Sequence, residues 1–161
     1  MCIRDRAYFK SADEEIIGTL DGAAVQTVTP RGTFKFDPPV LYLPGDEFKI
    51  GKTWTVSTYQ TSPQGRFTRT IKIKIVAYEK IVIQAGTFWA YKFESSGYAG
   101  NTRFEETYWN LPDWGVRLKS INKYYPPRGA ASLETAELVS FSRGNKVTAL
   151  PNEGQVRVSS R

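Results

Sequence analysis

The chain has 161 residues, 22 Lys plus Arg against 16 Asp plus Glu, a net charge of +6, no His and one Cys, Cys2. One domain is expected at this length, with enough chain to bury a core unaided. Without an imidazole, a His-based triad, a His-dependent metal site and a thiol–imidazole pair are excluded, and a lone Cys excludes an internal disulfide.

In chain order, Met1-Cys2-Ile3-Arg4-Asp5-Arg6 resembles translated sequencing-adaptor read-through, and residues 1–6 are expected to be non-native. Setting them aside takes the charge from +6 to +5 and leaves no Cys. Ser11 to Ile17 is the best helix candidate, though under about two turns long. Short strands are predicted over Ala24 to Thr29, Thr33 to Phe36 and Val40 to Leu43, interrupted by Pro38-Pro39 and by Pro44-Gly45-Asp46. From Thr53 onward period-two alternation is strong, over 53–61, 66–83, 87–96, 102–109, 116–125 and 132–142. The 14% of aromatic residues fits pleated, half-buried surface. Residues 143–161 are polar, basic and interrupted by Gly and Pro, and are read as a disordered tail. No run approaches the roughly 18 apolar residues of a spanning helix.

The connections carry hairpin chemistry. Ser62-Pro63-Gln64-Gly65 suits a tight turn, Gln84-Ala85-Gly86 a three-residue loop, and Ala99-Gly100 another tight turn. Such short loops leave no room for crossovers. The predicted fold is all-β: an antiparallel meander of about six long strands over residues 7–142, strongly curved into a half-barrel or barrel-like sheet. Short N-terminal strands, within residues 23–50, are expected to pack against it and close one side.

Requiring apolar residues to share a face sets a trial register. Ser62 pairs with Gly65, placing Trp54 beside Ile73 and Val56 beside Ile71. Ile83 pairs with Thr87, placing Ile81 beside Trp89. Tyr98 pairs with Asn101, placing Phe93 beside Glu106. Tyr108 then pairs with Leu118, and Leu118 with Val139. One face collects Trp54, Ile71, Ile73, Ile75, Ile81, Ile83, Trp89, Tyr91, Phe93, Phe104, Tyr108, Val116, Leu118, Leu133 and Phe141. The other collects Lys72, Lys74, Lys80, Lys92, Arg103, Arg117, Lys119, Lys123 and Glu134.

Several segments together resemble a known group: Gly51-Lys52-Thr53-Trp54, Val82-Ile83-Gln84-Ala85-Gly86-Thr87-Phe88, Thr107-Tyr108-Trp109, Trp114-Gly115-Val116 and Glu137-Leu138-Val139-Ser140-Phe141. Over roughly residues 45–142 the chain is similar to the bacterial envelope β-domains of the TapB-like group. That resemblance implies an antiparallel β protein of the periplasm or cell envelope, exported or lipid-anchored, without defined catalytic residues.

Three constellations offer chemistry. Glu106 and Glu137 break the apolar face in one row, about 9–10 Å apart at Cα by strand spacing. That separation fits a carbohydrate-active enzyme with paired carboxylates; an ion pair, for instance with Arg31, is the plainer reading. The aromatic floor of Trp54, Trp89, Tyr91 and Tyr108 is either core or a ligand surface, in one version a cavity for an acyl chain. Trp109 and Trp114 are the candidate contact residues outside it. The basic face interleaves cations with Tyr78, Trp109 and Tyr125, which suits an anionic envelope lipid or glycan better than nucleic acid, for which no motif is visible. An envelope protein is the remaining candidate partner. No cofactor and no metal are expected. The leading expectation is a non-enzymatic exported or periplasmic binding or interaction domain using its aromatic concave face or strand-end loops. A lipid carrier and a carbohydrate-active enzyme are the alternatives.

Overall fold

The computed structural model describes residues 6–10, 14–19, 23–112 and 116–140. Ten strands follow one another: β1 (Arg6–Lys10), β2 (Glu15–Thr19), β3 (Ala24–Thr29), β4 (Gly32–Val40), β5 (Thr53–Ser62), β6 (Gly65–Ile83), β7 (Gly86–Ala99), β8 (Thr102–Asn110), β9 (Arg117–Tyr125) and β10 (Ser132–Glu137). Each pairs antiparallel with its chain neighbours in a single ten-stranded sheet, curled into a half-barrel. The predicted all-β meander is therefore observed. The proposed tail over 143–161 and the leading residues 1–5 lie outside the described residues, while Arg6 is the first residue of β1. The helix expected at 11–17 is not formed where it is described: Glu15, Ile16 and Ile17 belong to β2. Two adjacent β-branched residues, Ile16 and Ile17, favour the pleated backbone over a helical turn.

Pro38-Pro39 does not end β4 as expected. Between the pairs Gln26↔Lys35 and Ala24↔Val40 the register jumps, so the two prolines fall where β3 requires no ladder bond from them. The concave side carries the larger core: Phe36, Val40, Ile71, Ile73, Ile75, Phe93, Phe104 and Tyr108, with Ile16, Phe34, Tyr42, Leu43, Phe48 and Trp54 packed around it. Residues 23–50 thus close the hollow, as the alternation requires of a sheet with one greasy side.

The long β6–β7 hairpin departs from the trial register. Gln84 and Ala85 alone make the turn, so Ile83 faces Gly86 rather than Thr87. Gly86 adopts φ 133°, a backbone angle that side-chain-bearing residues avoid. That one-residue slip turns every side chain beyond it to the opposite face. A bulge at Val76, between the pairs Ile75↔Phe93 and Ala77↔Lys92, reconciles this arm with the regular hairpin base. Tyr78, Lys80 and Val82 consequently share a face with Trp89 and Tyr91, while Ile81 and Ile83 share the opposite one with Phe88 and Ala90.

A second core forms on that opposite face from Ile83, Ala90, Leu118 and Leu138, with Ile81, Ala85, Phe88, Trp109, Leu111 and Val116 around it. The single greasy face predicted from Trp54 to Phe141 is thereby corrected. Trp89 and Leu118 lie on opposite sides of the sheet, Leu118 occupying a second bulge between the pairs Trp109↔Lys119 and Asn110↔Arg117. Leu133 pairs with Lys123 on the outer side and is 52% exposed. Phe141 lies outside the described residues.

Gly97 is the tightest point of the concave floor. A Cβ there would sit 1.9 Å from the Thr70 carbonyl oxygen, so β6 and β7 approach as they do only because no side chain stands between them. Gly97→Ala is expected to cost about 1–3 kcal/mol of unfolding free energy by forcing the strands apart, measurable by urea denaturation. An unchanged midpoint would mean the strands separate without penalty.

Candidate functional site

The described part of the chain presents three places where polar or aromatic chemistry collects. The first is the aromatic floor with the loop that crosses it. Between β4 and β5, residues 41–52 run over the hollow, and three floor side chains donate hydrogen bonds to their backbone. Trp54 Nε1 donates to the Leu41 carbonyl at 3.2 Å, Tyr108 Oη to the Tyr42 carbonyl at 2.9 Å, and Tyr91 Oη to the Phe48 carbonyl at 3.4 Å. The Phe48 ring sits 5.1 Å from Tyr91 and 6.1 Å from Phe93, and Phe93 stacks on Tyr108 at 4.8 Å. Trp54, Tyr91 and Tyr108 are therefore joined to one covering loop. Tyr108 is fully buried. These contacts use the amphipathic character of Trp and Tyr, apolar body inward and polar tip on a carbonyl.

The second place is the polar end of the hollow. Glu106 pairs across strands with Ser95 on one side and Asn122 on the other. Its carboxylate accepts from Ser95 Oγ at 3.3 Å and from Arg117 Nη1 at 2.7 Å. Arg117 lies over the Tyr108 ring at 4.2 Å and the Tyr42 ring at 5.7 Å. Burial works against the charge on Arg117, but Glu106, Tyr108 and Tyr42 outweigh it and hold its proton more tightly than usual. Glu14, before β2, belongs to the same field: loss of hydration raises its carboxyl, Arg117 opposes and Glu106 adds. Burial likewise pushes the Tyr124 hydroxyl up to about 12, with Glu106 and Glu134 adding to it.

The paired-carboxylate arrangement does not form. Glu137 pairs with Lys119 on the outer side of the sheet, where its carboxylate accepts from the Gln84 backbone N–H at 2.7 Å and lies 3.5 Å from Lys119 Nζ. Glu106 faces the hollow. Separated by the sheet, the two cannot act on opposite sides of one glycosidic bond. Glu106 takes the ion pair foreseen for such a carboxylate, though with Arg117; Arg31 instead bonds Glu134, from the β3–β4 turn to β10, at 2.6 Å. Arg117 and Glu134 thus leave the outer basic face assigned to them, as does Lys80.

Trp109 is on the outer side as predicted, but tied down. Its Nε1 donates to Glu79 at 2.7 Å, and Lys92 Nζ lies 5.5 Å from its ring. Trp114 lies outside the described residues. The outer face carries exposed Lys72, Lys74 and Lys123, beside Glu105, which is occupied by Arg103 and the Tyr125 hydroxyl at 2.6 and 3.0 Å.

The third place is the face of the β6–β7 arm that continues the concave side of the sheet beyond the hollow, called its outward face because nothing covers it there. Pairing of β6 with β5 ends at Lys74 and pairing of β7 with β8 ends at Tyr91, opposite Tyr78, so the arm from Glu79 to Ile83 reaches about 17 Å beyond both neighbouring strands at roughly 3.4 Å per residue. Its outward side chains are Tyr78, Lys80 and Val82 on β6, and Thr87, Trp89 and Tyr91 on β7. Trp89 is 55% exposed and Val82 77%. Tyr78 lies 4.7 Å from Tyr91 and 5.6 Å from Trp89. Through Tyr91 and Phe48 this row runs back to Phe93 and Tyr108 in the core.

Tyr78, Val82 and Lys80 were not foreseen as members of this surface. The signal present in the chain is Phe88-Trp89-Ala90-Tyr91, apolar on both faces, opposite Tyr78 to Ile81, just past Val76-Ala77, where β6 loses its alternation. Among the described residues no three His, Cys, Asp or Glu side chains gather as a metal would require, and no helix is long and apolar enough to cross a membrane. Comparison with protein-family models, curated proteins and solved structures yields no match.

Two outcomes test the polar end. Arg117→Ala is expected to cost about 2–3 kcal/mol by stranding the buried Glu106 carboxylate, less than a fully buried pair because the arginine is partly exposed; Glu106→Gln added to it should recover part of the loss in a double-mutant cycle. For Tyr124, the phenol is neutral in folded and unfolded chains below pH 10.0, and from there to about 12 only the unfolded chain ionises. Stability is therefore full below pH 10.0 and lost as pH rises through about 12. Melting temperatures across that window should fall less steeply for Tyr124→Phe.

Proposed function

We propose that the chain is a non-enzymatic binding module, and that its contact surface is the outward face of the β6–β7 arm. The observation that carries this reading is the exposed row of Tyr78, Val82 and Trp89 on an arm whose opposite face is already buried. A soluble domain rarely keeps such a contiguous apolar patch in water without a use for it. The arm needs no rearrangement to present it, because Ile83 and Ala90 anchor it against Leu118 and Leu138.

The hollow itself is occupied by the 41–52 loop, and an acyl chain carried there would have to break its three hydrogen bonds to Trp54, Tyr91 and Tyr108. That favours the arm over an enclosed ligand. Placement in the periplasm or cell envelope is part of the proposal and rests on the resemblance of residues 45–142 alone.

The test separates surface from core. Trp89→Ala should change stability by less than about 1 kcal/mol, whereas Phe93→Ala should cost about 3–5 kcal/mol. On a panel of immobilised lipids and bacterial glycans, the wild-type chain should bind at least one member, and Trp89→Ala and Tyr78→Ala should lose it. Binding that survives both substitutions would move the contact surface elsewhere on the molecule.

A further inference from the structure

Resting on that reading of the arm, we infer that its partner is an anionic lipid bilayer, onto whose interface the outward face of β6–β7 docks. The composition of the face fits one. It holds two tyrosines, a tryptophan, a valine, a threonine and a lysine, and no acidic side chain. The single acid of the projecting arm, Glu79, points the other way and is bonded to Trp109. Trp and Tyr rings sit favourably at headgroup depth, where an apolar body and a polar tip are both satisfied. Val82, near the tip and 77% exposed, reaches furthest from the ladder.

Charge complementarity selects an anionic surface. Lys80 stands opposite Trp89 on this face and makes no ion pair with any described residue. The adjacent loop, where Ile50 is 56% exposed, is neutral in sum, exposed Lys49 standing against Glu47 and Lys52 against Asp46, so Lys80 is the charge the face itself brings. The whole chain carries +6. Each unpaired Lys near an anionic leaflet adds to the attraction, and raised salt removes it.

The geometry permits shallow docking without unfolding. The arm projects past β5 and β8, so the rest of the sheet does not stand in front of it, and its backbone is held by the cross-strand ladder and by the second core behind it. A two-stranded face laid on the interface brings its rings to the headgroups and keeps the ladder intact.

The experiment uses the full chain in co-sedimentation with vesicles of phosphatidylcholine alone and of phosphatidylcholine with phosphatidylglycerol. Binding is expected only to the anionic vesicles and should decline as salt is raised. Lys80→Glu, Val82→Asp and Trp89→Ala should each lower the partition coefficient about tenfold or more, with melting temperature retained. Brominated acyl chains should quench wild-type fluorescence on binding, and the quenching should fall in Trp89→Ala. Equal binding to both vesicle types, no effect of the three substitutions, or no vesicle binding at all would overturn the inference. So would a wild-type dimer in light scattering that Trp89→Ala dissolves, since a second copy would then cover the face. A glycan on the panel that binds through Trp89, with no vesicle binding, removes the bilayer and leaves the binding module standing.

Discussion

The molecule depends above all on one interruption of β alternation, the bulge in β6. Along a strand, side chains change face at every residue, so one extra residue in a ladder moves everything beyond it to the other side. The bulge at Val76 does this near the middle of a 19-residue strand. Before it, Ile71, Ile73 and Ile75 fill the hollow; after it, Ile81 and Ile83 turn to the convex side and build a core of their own. The sheet therefore has two greasy surfaces on opposite sides, joined end to end, where uninterrupted alternation would give one. On β7, which has no bulge, the aromatic row Phe93, Tyr91 and Trp89 keeps its side and runs past the rim into water, and the displacement in β6 brings Tyr78 beside it.

Closure of the hollow follows from what the floor is made of. Phe, Tyr and Trp fill volume well, but Trp54, Tyr91 and Tyr108 each bring a polar atom that burial would leave costly and unpaired. The loop between β4 and β5 answers with carbonyls at Leu41, Phe48 and Tyr42. A covering strand in a ladder would have spent those carbonyls on its neighbours, whereas an irregular segment keeps them available. At the polar end the same requirement is met by charge: Glu106 is tolerated because Arg117 and Ser95 reach it, and Arg117 because two phenol rings and a carboxylate surround it.

Much of this was legible in the chain, and the failures share one cause. The β5–β6 register followed from Ser62-Pro63-Gln64-Gly65, and Trp54 does face Ile73. For β7–β8 the trial pairing of Phe93 with Glu106 was displaced by two residues, since Phe93 faces Tyr108. A shift of two preserves faces, so Glu106 remained on the concave side. At Gln84-Ala85 the turn is one residue shorter than the glycine position implied, and at β9–β10 Glu137 rather than Leu138 meets Lys119. Shifts of one reverse faces, which is why Ile81 and Ile83 parted from Trp89 and Glu137 left Glu106; Trp89 keeps the side of Phe93 and is exposed because the arm outruns the hollow. Ile71, Ile73, Ile75, Ile81 and Ile83 fit one continuous buried face as well as they fit two, so in β6 alone the bulge is marked only by Glu79 and by the lapse of alternation at Val76-Ala77. Its trace lay across the hairpin, in the four consecutive apolar residues from Phe88 to Tyr91.

The second core gives that displacement its consequence. A projecting hairpin is marginal by itself, because two strands bury too little to hold their shape in water. Here Ile83, Ala90, Leu118 and Leu138 hold the arm from behind, and the Leu138 carbonyl accepts from the Ala85 N–H at the turn while its own N–H reaches Leu118. The support comes from β9 and the residue after β10, not from the hollow. An arm braced in this way can keep one face apolar and unpartnered without collapsing onto the barrel, and Lys80 in the middle of that face opposes edge-on pairing with another chain. The barrel thus needs the arm only at its base, near Ile75 and Phe93, while the arm needs the second core along its whole length. Residues of that second core are consequently tied to the orientation of the exposed rings more closely than to the integrity of the hollow.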